Sequence, residues 1–230
     1  VLTLTQPEAP MSHDDFAFEP QAGLPERLPQ TEVMLWQGRP SALALMREAY
    51  GLRWILAYFA VIVLWRATAG WMDGGLARSM AMAIPYIGLG VLALIVTGAM
   101  AWVAARSTLY SVTTARVVMR IGAALTVTLN LPYRQIARAA LDLRKGGTGT
   151  IAFETLGETK FSALVLWPHL RPWHFARTQP ALRCIPDAAR VAGLIADAAE
   201  ARMEEPVLVA KPAVARPAPM PAGILPIPAE

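Results

Sequence analysis

The sequence predicts an α+β membrane protein: two transmembrane helices in a hairpin, then a β-barrel or sandwich domain with a C-terminal capping helix. Three observations predict it. Residues 79–105, SMAMAIPYIGLGVLALIVTGAMAWVAA, carry no charge over 27 positions. An earlier apolar run, residues 51–71, has Trp54 near one end and Trp71 at the other. Beyond Arg106 the chain turns to short segments rich in Val, Thr, Ile and Leu, separated by turn residues. The composition agrees: 55% of the 230 residues are hydrophobic and 17% are charged, against about 25% charged in an ordinary soluble domain.

Residues 1–33 are acidic and punctuated by Pro7, Pro10, Pro20, Pro25 and Pro29. They bury too little apolar surface to offset ordering entropy, so they read as a disordered arm. Val1 is an unusual start and Met11 an ordinary one, so the first ten residues read as an extension. They have no basic region followed by an apolar core, as a secretory signal would. Residues 34–50 read as an interfacial segment, with Trp36 at the membrane surface and Ser41 capping a helix that runs to about Tyr50.

The hairpin occupies residues 51–105, as spans of about 51–71 and 79–105. In the first, Arg53 and Arg66 enclose only twelve uncharged residues, fewer than the ~20 a span needs. Arginine stems can lie along apolar surface while the heads reach the interface. Trp54 and Trp71 would stand about 26 Å apart on a helix, which fits two aromatic belts. The second span is long enough to cross with tilt, and Pro85 falls in its first two turns, where a missing N–H costs least. Arg39, Arg47, Arg53, Arg106, Arg116 and Arg120 flank one side; Arg66 and Arg78 flank the short loop. Positive-inside counting therefore places both termini of a multi-pass membrane protein in the cytoplasm.

Residues 106–203 form the β domain. STLYSVT, ARVVMRIG, ALTVTLNL, RQIARAALDLRK, TIAFE, TKFSALVLW and ALRCI read as strands. From Pro186, Val191, Leu194, Ile195 and Ala198 recur at helical spacing. Residues 204–230 read as a disordered proline-rich tail, with seven prolines between 206 and 230.

Charge is zoned: −5 over residues 1–38, +6 over 39–133 and +3 over 134–230. Arg106, Arg116, Arg120, Arg134 and Arg138 follow the membrane exit and are candidates for seating the β domain on anionic lipid headgroups, at roughly 1 kcal/mol each. No aromatic-basic interleaving accompanies them, so nucleic acid is not an expected partner. Ala93, Thr97, Ala101 and Ala105 recur every four residues, a small-residue stripe suited to close helix packing. That stripe packs either on the first span or on a partner helix; the first span is favoured.

Arg144-Lys145-Gly146-Gly147-Thr148-Gly149-Thr150 raises the question of a phosphate loop. A Walker loop needs its lysine after the glycines, and Lys145 precedes them. Gly147 to Ala152 fits GxGxxA, but that fingerprint must open a helix, and TIAFE reads as a strand. The run is therefore a tight turn, with Arg144, Lys145, Gly147 and Gly149 as docking candidates. Cys184 has no partner for a disulfide within the chain and sits among apolar neighbours, which predicts an inert buried thiol. His13, His169 and His174 form no metal-ligand pattern, and neither span holds a His to ligate a chlorin. No catalytic constellation, metal site or cofactor site is evident, so the protein is expected not to be an enzyme.

LWQGRPS (Leu35–Ser41), YSVTTARVVMRIG (Tyr110–Gly122), LPYRQIARAALDLRKGGTGTIAFE (Leu131–Glu154) and the helix from Pro186 resemble the bacterial pleckstrin-homology (PH)-like family with a membrane hairpin. The stretches from Phe16 to Ser41 and from Trp167 to Ala198 look like those of the photosynthetic-complex assembly proteins of purple bacteria. The resemblance covers roughly residues 12–203. It implies a PH-like fold for the β domain and a non-catalytic membrane factor for reaction-centre assembly that binds no pigment. Its implied partners are reaction-centre subunits or early intermediates of the reaction centre–light-harvesting core complex. Two other classes stay open: a general lipid-binding or self-oligomerising membrane scaffold, and an enzyme using the glycine turn.

Overall fold

A computed structural model describes residues 23–24, 26–122, 126–144, 146–157, 161–174 and 177–204. Most of the predicted acidic arm, nearly all of the proline-rich tail and Lys145 lie outside the described residues. The chain is a mixed helix-and-sheet protein: a four-stranded antiparallel sheet, a three-stranded antiparallel sheet, one very long apolar helix and a closing C-terminal helix.

The first sheet is ordered β1 (Met34–Gly38), β2 (Leu109–Thr113), β3 (Arg116–Ile121), β4 (Val127–Pro132). The second is β5 (Ile136–Leu143), β6 (Gly149–Thr155), β7 (Ala181–Ile185). The expected barrel is not closed. The chain turns a corner through a 3-10 turn at Tyr133–Gln135, so among the described residues β4 pairs only with β3 and β5 only with β6. Pro132, without an N–H, helps end the β4 ladder.

Two segments differ from expectation. Residues 34–38, expected as a segment leading into a helix, form a strand, β1, which pairs with β2 across the long helix in sequence. Trp36 packs partly buried against the core. Ser41 does cap a helix, α1 (Ala42–Glu48), its Oγ accepting from the Ala44 N–H at 3.4 Å. The described part of TKFSALVLW, from Phe161, is not a strand: Ala163–Leu166 make one helical turn, α3. The free edge of β6 is already filled by β7, and Pro168 cannot donate a ladder hydrogen bond.

The core lies between the sheets and α4 (Ala188–Glu204), around Tyr110, Met119, Leu131, Ile151, Phe153 and Ile195. All five β2 residues are buried. Tyr110 and Val112 face the core, while Thr113 meets the buried Glu32 on the preceding segment. Part of the predicted disordered arm is thus ordered onto the domain. Arg116 completes this contact with two charge-assisted hydrogen bonds to the Glu32 carboxylate, at 2.8 and 3.0 Å.

The long helix α2 (Leu52–Ser107) is long and apolar enough to cross a membrane. Its backbone leaves helical geometry at Gly74 and Gly75, where Gly75 has φ 70°, a conformation L side chains rarely adopt. Contacts bridge this break. Ser79 Oγ donates to the Ala67 carbonyl at 2.8 Å, Arg66 lies 5.6 Å from the Tyr86 ring centre, and Phe59 packs on Gly90. On a straight helix Phe59 and Gly90 would be about 46 Å apart. A Cβ at Gly70 would stand 2.7 Å from the Ser79 Cα, so closest approach falls beside the break.

Candidate functional site

The feature that ties the apolar helix to the β domain is a buried hydrogen-bond chain at the end of α2. An α-helix leaves its last carbonyls without intrahelical donors. Here Ser107 Oγ donates to the Val103 carbonyl at 2.9 Å and Thr108 Oγ1 to the Ala104 carbonyl at 2.7 Å. Thr108 then opens the extended stretch that becomes β2.

His169 sits over this exit, 2% exposed. Its Nε2 is 3.1 Å from Thr108 Oγ1 and its Nδ1 is 2.6 Å from the Tyr110 hydroxyl. Burial, with the Arg183 charge second, lowers its pKa to about 3, so the ring is neutral near pH 7. Its tautomer follows from its partners. The Thr108 proton is committed to Ala104, so Nε2–H donates to Thr108 and Nδ1 accepts from Tyr110. The Tyr110 oxygen in turn accepts the Arg183 N–H at 3.3 Å. Burial raises the Tyr110 pKa strongly, which keeps the phenol a donor. One unbroken chain therefore links β7, β2, the loop before β7 and the last turn of α2.

Beside this chain lies an apolar groove of about 530 Å³, between the outer face of α2 at Ile95–Ala104 and the segment from Val165 to His169. Tyr50 closes one end, edge-on to Trp167 with ring centres 4.9 Å apart. Leu164, next to the lining residue Val165 in the chain, is 88% exposed. A smaller cavity of about 280 Å³ lies between β5 and α4.

The structure sorts the residues singled out from sequence. Ala101 and Ala105 are buried, Ala93 and Thr97 half-buried, and Thr97 Oγ1 donates to the Ala93 carbonyl. The stripe faces inward, on the same arm whose Gly90 meets Phe59 and whose Gly98 meets Met46. The five arginines expected at the membrane surface sit in different settings. Arg116 is held by Glu32, and Arg120 is buried within the first sheet. Arg106 is exposed and stacks 5.4 Å from the Trp102 ring centre. Arg134 reaches the Arg202 carbonyl, and Arg138 is exposed on β5. Arg144 pairs with Asp142 at 3.0 Å and with Glu48 at 3.4 Å.

The glycine run is a turn. Gly147 has φ 81° and its carbonyl accepts the Ala188 N–H at 3.4 Å. Gly149 opens β6, not a helix, which removes the dinucleotide fingerprint. A Cβ at Gly149 would lie 2.6 Å from the Ala188 Cβ and 2.9 Å from the Asp142 carbonyl oxygen. Gly149→Ala is expected to cost roughly 1–3 kcal/mol through overpacking, and Gly147→Ala about 1 kcal/mol through strain. Chemical denaturation of the purified protein in detergent measures both; Gly149→Ala as stable as the parent would refute the close approach.

Burial raises the Cys184 thiol to about 12, helped by the nearby Glu48 charge. It is an inert thiol whose backbone carbonyl accepts from Ser41. Among the described residues no three His, Cys, Asp or Glu side chains gather as metal ligands. Sequence reasoning missed Glu32, Thr108, Tyr110 and His169. The available signal was weak: one His, preceded by proline, in a stretch rich in large apolar residues.

A family model described as "Bacterial PH domain" matches residues 50–199. The chain belongs to that family. It is also 42% identical over 206 residues to an uncharacterised 23.7 kDa protein in the puhA 5' region of Rhodobacter capsulatus, covering 88% of this chain and 95% of the relative. No solved structure matches the chain significantly.

Proposed function

We propose that this protein is a non-catalytic membrane assembly factor for the photosynthetic reaction centre, of the PuhB type. The observation that carries this is the 42% identity, over nearly the whole chain, to a protein placed in the puhA 5' region. The family match over residues 50–199 supports the PH-like reading of the β domain. In this reading the two arms of α2 cross the bilayer as a hairpin, reversing at Gly74–Gly75, and the arginine excess holds both termini in the cytoplasm. The sheet edges left open by the unclosed barrel suit contact with a reaction-centre subunit or an early core-complex intermediate.

Deleting the gene in a photosynthetic host is expected to lower reaction-centre accumulation several-fold while pigment synthesis continues. Unchanged reaction-centre levels would sink the proposal. A tagged chain recovered from photosynthetic membranes only as a homo-oligomer would favour a general scaffold instead.

A further inference from the structure

The groove at the helix–domain junction has a composition and position that point to one occupant. Resting on the membrane reading above, we propose that it holds an acyl chain of a lipid from the leaflet where α2 enters the β domain.

One wall is the outer face of α2, with Ile95, Ala99, Met100 and Val103 one to three turns before Arg106. That face continues along the helix as Val91, Leu92 and Val96, all exposed. The groove is thus an extension of the surface that faces lipid in a bilayer. The other wall is Val165 and Trp167, 52% and 45% exposed, beside Leu164 at 88%. A soluble domain has no reason to present these three beside a span. At the membrane interface their exposure is to lipid, and Trp102, Trp167 and Tyr50 occupy the depth where aromatic rings collect.

The floor selects a chain over a headgroup. Thr108 and His169 satisfy each other, Ala104 and Tyr110, and among the described residues no charged side chain lines the cavity. A phosphate there would lose its hydration without reaching a cation, since the Arg183 guanidinium is buried behind Pro168 and His169 and donates to the Pro168 carbonyl at 3.4 Å, whereas methylenes lose nothing. Arg106, exposed at the end of α2, is placed to meet the headgroup outside. The volume of about 530 Å³ lies within the range of sites that enclose small ligands.

The test uses the full chain in phosphatidylcholine–phosphatidylglycerol vesicles containing phosphatidylcholine with a diazirine at the end of one acyl chain. After irradiation, labelled peptides are mapped by mass spectrometry. Label is expected on residues 80–92, 95–104 and 163–169, and at background on 126–132. Ala99→Trp fills the groove and Val165→Asp makes it polar; each is expected to lower label on 163–169 by about tenfold while leaving 80–92 unchanged. Background label on 163–169, indifference to both substitutions, or cross-links there to a second protein chain would overturn the proposal. Loss of label from 80–92 in the unaltered protein would instead overturn the membrane reading beneath it.

Discussion

Replacing His169 by alanine is expected to destabilise the domain by roughly 3–5 kcal/mol, the range for removing a large buried ring and leaving a donor without its acceptor. The ring is 2% exposed and fills the space over the α2 exit. Its removal strands the Tyr110 hydroxyl and frees Thr108 from the loop before β7. Tyr110→Phe leaves the ring in place but orphans Nδ1 and the Arg183 N–H, for about 1–3 kcal/mol. The two losses should not add, because both substitutions break the same chain. Equilibrium unfolding in detergent, followed by circular dichroism, measures them. A His169→Ala protein within 1 kcal/mol of the parent would show that the chain contributes little.

The same residue sets a pH dependence. The folded pKa of His169 is about 3, below the ~6.5 of an unfolded histidine. As pH falls below ~6.5 the unfolded chain binds a proton that the folded protein refuses. The contribution is fully present above that value and is lost down to about pH 3, at up to about 1.4 kcal/mol per unit. His169→Gln removes the titrating group, so its stability should fall less steeply between pH 6.5 and 4.5 than the parent's. Equal slopes would mean that the ring is protonated in the folded state.

Arg116→Ala is the second large expected effect, at about 3 kcal/mol, the lower end for breaking a buried ion pair because the Arg116 side chain is 28% exposed. Among the described residues it leaves the buried Glu32 carboxylate with the Thr113 hydroxyl alone. The segment from Leu24 to Gly38 should then detach more often from β2. Trypsin cleavage at the exposed Arg27 should accelerate well before the domain itself is digested. Glu32→Gln combined with Arg116→Gln should be less harmful than Arg116→Ala alone, since no unpaired charge remains. An unchanged cleavage rate in Arg116→Ala would show that the pair does not hold the segment.

The elements with a strong local pattern were legible in the sequence. Residues 79–105 lack charge, residues 127–132 alternate, and Val191, Ile195 and Ala198 recur on one helix face; each signal lies within a dozen or so neighbours. β1 was not legible, because Met34–Gly38 becomes a strand only by pairing with residues more than seventy positions away. The helical turn at Ala163–Leu166 reads as a strand in the sequence because its apolar run is too short for periodicity to distinguish the two. Arg116 looked like one of five membrane-surface bases, and only the fold brings Glu32 to it.

The sequence by itself determined that this chain has a bilayer-length apolar helix, an arginine excess on one flank, a β-rich domain and a glycine turn in place of a phosphate loop. These are properties of composition and short-range spacing, which hold whatever the rest of the chain does. Tertiary structure decided that the barrel stays open, that part of the acidic segment covers β2, and that Thr108, Tyr110 and His169 meet. Each depends on which distant residues burial forces together, since a polar atom removed from water must find a partner wherever the fold supplies one.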